Sequence, residues 1–282
     1  MYGLTPMMES MLRHLAHYKY LTVSHVMALN IGKSKDRGRK YFLAMMKEGL
    51  VDRQVHFGVS ENAKKKGFLQ RHRQEYLRHL TPEGAKFLDK NTDLDLSNIR
   101  YPKRAGKRLK NDYFHRVSTI FTHISFERRV EESGGSDVKV LLYYDNTNKQ
   151  LTKSKFDAET RLSLGGNKHY SPDMICSYVD ANNEPHVFCI EVYNGNKVGR
   201  VVGQLEKLFA ILDTSKRIEQ RIGVDVVPRI LVTFDNENLL AKVKERIQDN
   251  PVFAVEGIED LLYFSSDIEI WNSFSCMKNP KK

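Results

Sequence analysis

The sequence predicts an α/β (α+β) protein of two domains, a small helical domain with a β-hairpin followed by a domain built on a mixed sheet. Three observations support this prediction. Short helical patterns fill the first 92 residues, strand patterns dominate from residue 138 onward, and the excess positive charge lies in the first part of the chain. With 282 residues, the chain is long enough for two domains that each bury a core.

The charge distribution separates the two predicted domains. The net charge is +10, yet residues 1–110 hold 23 Lys and Arg against 10 Asp and Glu, while residues 111–282 hold 22 against 25. A cationic domain joined to a slightly acidic one indicates docking to a polyanion, although lysine-rich surfaces also serve solubility. Nucleic acid is therefore the predicted partner, and the fold has to decide between these two interpretations of the charge.

Several function classes lack their sequence signatures. No apolar run approaches the roughly 20 residues of a membrane span and no secretory signal begins the chain, so a globular cytoplasmic protein without a membrane partner is expected. No glycine-rich phosphate loop is present, so ATP use is not expected. The three cysteines form no CxxC pair and the ten histidines form no HxH pair, which argues against disulfides, cysteine-bound zinc and a histidine-clamped metal.

Helical spacing, capping residues and turns define the first domain. In order, the predicted elements are a helix over 7–18, a short helix capped by Thr22 or Ser24, a helix after Ser34 that ends at Gly49, strands over 50–58 and 71–81, and a helix from Pro82. The third helix separates apolar from basic residues. Phe42, Met45 and Met46 share one face, and the opposite face carries Lys33, Arg37, Lys40, Ala44 and Lys47.

Three short helices, a basic hairpin and a terminal helix resemble a winged helix-turn-helix domain, here over residues 1–92. The segment LTPEGAKFL at 80–88 is typical of the chain just after the wing. The resemblance implies that the third helix enters the major groove of DNA, with Lys33, Arg37, Lys40 and Lys47 facing the duplex. It also implies phosphate contacts from the hairpin, through Lys64, Lys65, Lys66, Arg71 and Arg73. The alternative is a winged helix that binds protein.

Residues 93–112 are predicted to be a basic linker, because they lack periodicity and include Pro102 and Gly106. The linker either follows a DNA backbone or acts as a hinge. The second domain, residues 113–282, then begins with a long helix that places Glu127 and Glu131 on or beside its apolar face. Strands are predicted at 138–144, 171–180, 186–195 and 227–235, with a helix over 199–213 between the last two.

Two acidic residues interrupt buried-looking strands of the second domain. Asp173 follows Pro172 at the start of an apolar run, and Glu191 alternates with Ile190 and Val192. A carboxylate in such a position is costly unless it is paired or binds a ligand. These two residues, with Glu127 on the preceding helix, resemble the core of the PD-(D/E)XK nucleases.

The nuclease resemblance implies a set of site residues. Asp173 and Glu191 would hold Mg²⁺ or Mn²⁺, ions that hard carboxylate oxygens suit, and Glu127 would be the supporting acid. The motif lysine is replaced by Tyr193. Lys197 and Lys207 are the candidates for its role, while Tyr193 either contacts or attacks phosphate or packs beside Glu191.

The whole arrangement resembles the replication-relaxation family and the related MOBC-type plasmid relaxases. The resemblance covers roughly residues 7–240. It rests on the winged helix, the basic linker, a helix beginning His-Arg-Val-Ser at 115–118 and the two strands with acidic residues. It implies a DNA-nicking protein of plasmid or integrative-element mobilisation, acting on a transfer or replication origin with accessory mobilisation proteins. The alternative is a non-catalytic regulator of transcription or replication that binds DNA and keeps only the fold of a nuclease.

Overall fold

The structure is a computed structural model and describes residues 3–54, 75–102, 113–145, 157–165, 168–195, 197–212 and 216–266. These residues form eight α-helices, a five-stranded mixed sheet and two two-stranded antiparallel sheets, which confirms the predicted α/β class. The chain divides into two compact units, residues 1–124 and 125–282. Among the described residues, none of the helices combines the length and apolar character required to cross a membrane.

Helices dominate the first unit. Its elements are α1 (Pro6–Tyr18), α2 (Val23–Ala28), α3 (Lys35–Lys47), β1 (Val51–Gln54), β2 (Leu77–Leu80), α4 (Pro82–Asn91) and the first part of α5 (Tyr113–Glu132). Thr22, one of the two predicted capping residues, and Ser34 and Thr81, which stand at predicted helix starts, each accept a backbone N–H at the start of a helix. Gly49 follows α3 with a φ of +72°, as expected of a residue that ends a helix.

The first unit contains a two-stranded sheet. Strands β1 and β2 pair antiparallel, and Leu21, between α1 and α2, forms a bridge to Arg78 of β2. The start of α4 lies against the chain just before β1, where a Cβ atom at Gly84 would be only 2.0 Å from the carbonyl oxygen of Leu50. A glycine is therefore required at this close approach.

The boundary between the two units falls within α5, whereas the sequence predicts a domain start at residue 113. The first turns of α5 pack in the first unit: His25 Nε2 lies 3.1 Å from the carbonyl oxygen of Val117, and the Tyr113 hydroxyl donates to the carbonyl oxygen of Glu75. Residues 103–112 of the predicted linker lie outside the described residues, as do the wing residues Lys64, Lys65, Lys66, Arg71 and Arg73.

The second unit is built on the five-stranded sheet. After α5 come β3 (Ser136–Leu142), β4 (Leu162–Gly165), β5 (Lys168–Tyr170), β6 (Met174–Val179), β7 (Pro185–Tyr193), α6 (Val198–Leu212), α7 (Lys216–Ile222), β8 (Arg229–Phe234), α8 (Glu237–Gln248) and β9 (Leu262–Ser266). The strand order is β3-β6-β7-β8-β9, antiparallel from β3 to β7 and parallel from β7 to β9. The four predicted strands are β3, β6, β7 and β8, and the structure adds the β4–β5 hairpin and β9.

Helices cover both faces of the sheet in the second unit. On one face, Cys189 and Tyr193 of β7 belong to a core that includes Val201 and Leu205 of α6. On the other face, Phe126 of α5 meets Phe188 with ring centroids 6.2 Å apart. Side chains alternate between the two faces along β7, so Glu191 points to the same face as Cys189 and Tyr193. This is the face that α6 covers.

Candidate functional site

Two carboxylates meet at one edge of the five-stranded sheet. Strands β6 and β7 are antiparallel with Met174 opposite Ile190, so Asp173, directly before β6, lies opposite Glu191 near the end of β7. Both side chains are buried, with Asp173 7% and Glu191 3% exposed. The fold thus brings together the two residues predicted to be metal ligands.

Hydrogen bonds fix both carboxylates. Asp173 Oδ2 accepts the backbone N–H of Val192 at 2.7 Å, and Glu191 Oε1 accepts the Tyr170 hydroxyl at 2.7 Å. The two carboxyl groups also act on each other, since Asp173 raises the pKa of Glu191 beyond the effect of burial. Tyr170 was not predicted as a site residue, although it lies three residues before Asp173.

The surroundings of Glu191 disfavour its negative charge. Burial raises the pKa of Glu191 well above its usual range and the charge of Asp173 raises it further, against smaller lowering effects of the Tyr170 hydroxyl and of Arg200. A divalent cation between the two carboxylates would remove this repulsion. Adjacent, fixed, anionic oxygens are the donors that Mg²⁺ and Mn²⁺ prefer, so these residues fit the predicted metal.

Two more carboxylates lie at the same edge of the sheet. Asp145 follows β3 and is buried, and Asp235 follows β8, with its backbone N–H donating to the carbonyl oxygen of Tyr193 at 3.2 Å. Because β3 is antiparallel to β6 and β8 is parallel to β7, the carboxyl ends of these strands meet where Asp173 and Glu191 lie. Neither residue was predicted, although each stands at the end of a predicted strand.

A basic residue of α6 acts on Glu191. Burial raises the pKa of both Glu191 and Tyr193, and the charge of Arg200, in the first turn of that helix, offsets a small part of this rise. Lys197 and Lys207 are exposed and form no ion pair within the described part of the chain. No ion pair of the described residues therefore supports the predicted lysine role of Lys197 or Lys207, and the cation of α6 whose charge acts on Glu191 is the exposed Arg200.

Tyr193, at the position of the motif lysine, is a buried residue. It is 8% exposed, and its ring lies 5.7 Å from that of Phe234, measured between centroids. Burial raises the pKa of the Tyr193 hydroxyl, and the charges of Glu191 and Asp173 raise it further. This environment opposes the phenolate that attack on phosphorus needs, so packing beside Glu191 describes Tyr193 better than covalent catalysis does.

Glu127 is not part of the carboxylate pair. No set of three ligand atoms within 4.8 Å of one another includes Asp173 or Glu191 among the described residues. The physical reason is the placement of α5, whose Phe126 packs on the face of the sheet opposite to Glu191. The sequence shows that Glu127 borders an apolar helix face but does not show which face of the sheet that helix covers.

The first unit carries the second candidate site, the basic face of α3, formed by Arg37, Lys40 and Lys47 on the helix and by Lys33 just before it. All four side chains and Ala44 are exposed, while Phe42 and Met45 on the opposite side of α3 are fully buried. The predicted core face is therefore confirmed for Phe42 and Met45, whereas Met46, predicted on the same face, is only partly buried. The other cations of the helix have acidic partners: Arg39 pairs with Asp36 at 2.6 Å, and Lys35 lies 3.6 Å from Glu75.

Comparison with known proteins gives no function for either candidate site. No protein-family model, curated protein or solved structure matches this chain. The resemblance to relaxases therefore stays a prediction, and the functional inference depends on the carboxylate pair and the basic face of α3.

Glu191→Gln is expected to stabilise the metal-free protein. The substitution removes a charge that burial and Asp173 oppose, and the new amide oxygen still accepts the Tyr170 hydroxyl. The free energy of unfolding at neutral pH should rise by about 1–2 kcal/mol. Because folding raises the pKa of Glu191, the wild type should lose stability as pH rises above the unfolded pKa of about 4.3. The variant lacks this contribution, so its advantage should grow with pH.

Urea denaturation in EDTA at acidic and neutral pH measures this difference. The matched control is Glu184→Gln, an exposed glutamate in the turn of the same β6–β7 hairpin, which should change stability by less than about 0.5 kcal/mol. A Glu191→Gln protein less stable than the wild type at neutral pH would show that the carboxylate is a structural group.

Proposed function

We propose that this chain is a cytoplasmic, site-specific DNA-binding protein that nicks DNA with a divalent metal in plasmid or integrative-element mobilisation. The observation that carries the proposal is the buried Asp173–Glu191 pair, contributed by adjacent strands to one edge of the sheet. Two adjacent buried carboxylates destabilise a fold unless a proton or a cation lies between them. A metal-binding role explains why both acids are present, and the relaxase assignment rests on the resemblance.

Asp173 and Glu191 would hold the Mg²⁺ or Mn²⁺ ion. When bound, such an ion neutralises charge on the scissile phosphate and makes a bound water more acidic. The chain's own groups orient the ligands: the Val192 amide holds Asp173, and the Tyr170 hydroxyl holds Glu191. Arg200 adds a positive charge beside the pair that can attract a phosphate group.

The first unit supports the DNA-binding part of the proposal. The order α1, extended Leu21, α2, α3, β1, β2 is that expected of a winged helix, in which the third helix enters the major groove. Its α3 presents the exposed cations Arg37, Lys40 and Lys47 on one face, and Lys33 is exposed just before the helix. Four cations at this spacing suit the phosphate and base edges of a duplex.

One observation favours the alternative of a non-catalytic regulator. Tyr193 occupies the position of the motif lysine and is buried, so a chain that had lost nuclease activity would also show this substitution. Both candidates bind duplex DNA with steep salt dependence. Only the reaction of the carboxylate site distinguishes them.

Nicking of supercoiled plasmid tests the proposal. The plasmid carries the duplex that the protein selects from a random library, or the intergenic DNA beside its gene. Conversion to open circle with Mg²⁺ or Mn²⁺ but not with EDTA is expected. Inactivity with either metal, on a site that the protein binds and with mobilisation proteins added, would favour the regulator.

Arg200→Gln is expected to reduce nicking by about 10–100-fold, because it removes a cation beside the reacting phosphate. Arg200 is exposed, so the fold should be unaffected, and Mg²⁺ should bind at least as tightly because a competing charge is gone. The rate of nicking and the calorimetric Mg²⁺ affinity are both measured. Lys207→Gln, an exposed cation on the same helix, is the control. If Arg200→Gln nicks DNA as fast as Lys207→Gln, Arg200 has no catalytic role.

A further inference from the structure

Leu43 is a large apolar residue on the surface of the first unit. It is 59% exposed, more than the other large hydrophobic side chains in the described residues. The core face of α3 is already formed by Phe42 and Met45, which are fully buried. Leu43 therefore lies outside the core of the first unit, and more than half of its side chain is available to a partner.

The neighbours of Leu43 indicate what covers it. Lys40 lies three residues before it and Lys47 four residues after it, so both side chains flank Leu43 on the surface of the helix. Ala44, beside it, is exposed and small. Two exposed cations beside one exposed leucine favour a partner that is anionic and also offers an isolated apolar group. Duplex DNA meets both conditions, since the C5-methyl of thymine is an apolar group in the major groove.

We propose that Leu43 is a specificity-determining residue that contacts thymine methyl groups in the major groove. Lys40 and Lys47 contact phosphates or base edges on either side, and Ala44 allows the helix to approach closely. The site bound by α3 therefore contains thymine at one or two fixed positions. This inference rests on the proposed DNA binding and is independent of nicking.

Replacing thymine by deoxyuridine tests the proposal, because it deletes only the methyl group. Duplexes are first selected by the wild-type protein from a random library, and each thymine of the selected site is then replaced in turn. Wild-type affinity should fall about three- to fivefold at one or two positions, as expected for one buried methyl group. The Leu43→Ala variant should bind thymine and deoxyuridine duplexes equally at those positions.

Leu96→Ala is the matched control, since Leu96 is also an exposed leucine of the first unit but lies outside α3. This variant should keep the wild-type preference for thymine. Wild-type binding that no deoxyuridine substitution weakens overturns the inference and leaves the DNA-binding proposal intact. Equal weakening of both duplexes by Leu43→Ala also overturns it, and would assign Leu43 to a contact between protein copies. Failure of the wild type to select any duplex overturns both the inference and the proposed function.

Discussion

Asp173→Asn and Glu191→Gln should each reduce metal-dependent nicking by at least about 100-fold while leaving duplex binding unchanged. Each substitution removes an anionic oxygen of the pair and preserves the shape of the side chain. The asparagine can still accept the Val192 N–H, and the glutamine can still accept the Tyr170 hydroxyl, so the sheet edge keeps its packing. The loss should therefore come from the metal and not from the fold.

Three measurements separate these causes: the rate of open-circle formation, the calorimetric affinity for Mg²⁺ and the affinity for a linear duplex. Both variants should lose nicking and Mg²⁺ binding together. Glu245→Gln, at an exposed glutamate of α8, should behave as the wild type in all three. If both site variants nick at the wild-type rate, the Asp173–Glu191 pair is not the catalytic metal site.

Replacing Arg37, Lys40 and Lys47 together by alanine should weaken duplex binding by about 100-fold at low salt. The three side chains are exposed on one face of α3, where each is placed to contact a phosphate or a base edge. Loss of three contacts should also reduce the slope of log affinity against log salt by up to about three. Stability should change little, because none of the three side chains belongs to the core.

Titration of a labelled duplex at several KCl concentrations measures both quantities. The control is a protein in which Lys242, Lys244 and Arg246 of α8 are replaced by alanine, because it loses the same charge from another exposed helix. A similar loss of affinity in the control would mean that net charge, and not the basic face of α3, determines binding. An unchanged salt slope in the α3 variant would exclude phosphate contacts from this helix.

Local signals predicted much of both candidate sites. Thr22, Ser34 and Thr81 begin helices because their side chains satisfy backbone N–H groups that the helix leaves unpaired, a property of a few consecutive residues. The basic face of α3 follows from a period of 3.6 residues, and the position of Glu191 on one face of β7 follows from a period of two. These periods need no knowledge of the rest of the chain.

The partners of the carboxylates required the tertiary structure. Strand register places Asp173 opposite Glu191 and brings Asp145 and Asp235 to the same edge, and register is a relation between segments that periodicity does not specify. Helix α6 covers the sheet face that carries Glu191, and its Arg200 affects the pKa of that residue. Helix α5 packs on the opposite face, so Glu127 does not join the carboxylate pair.

The sequence by itself therefore determined the α/β class, the beginnings of helices, the charge separation and the two central carboxylates. The tertiary structure alone decided their neighbours, the boundary inside α5 and the burial of Tyr193. The physical reason is that a hydrophobic pattern specifies whether a side chain is buried, whereas packing between distant segments decides which groups it meets.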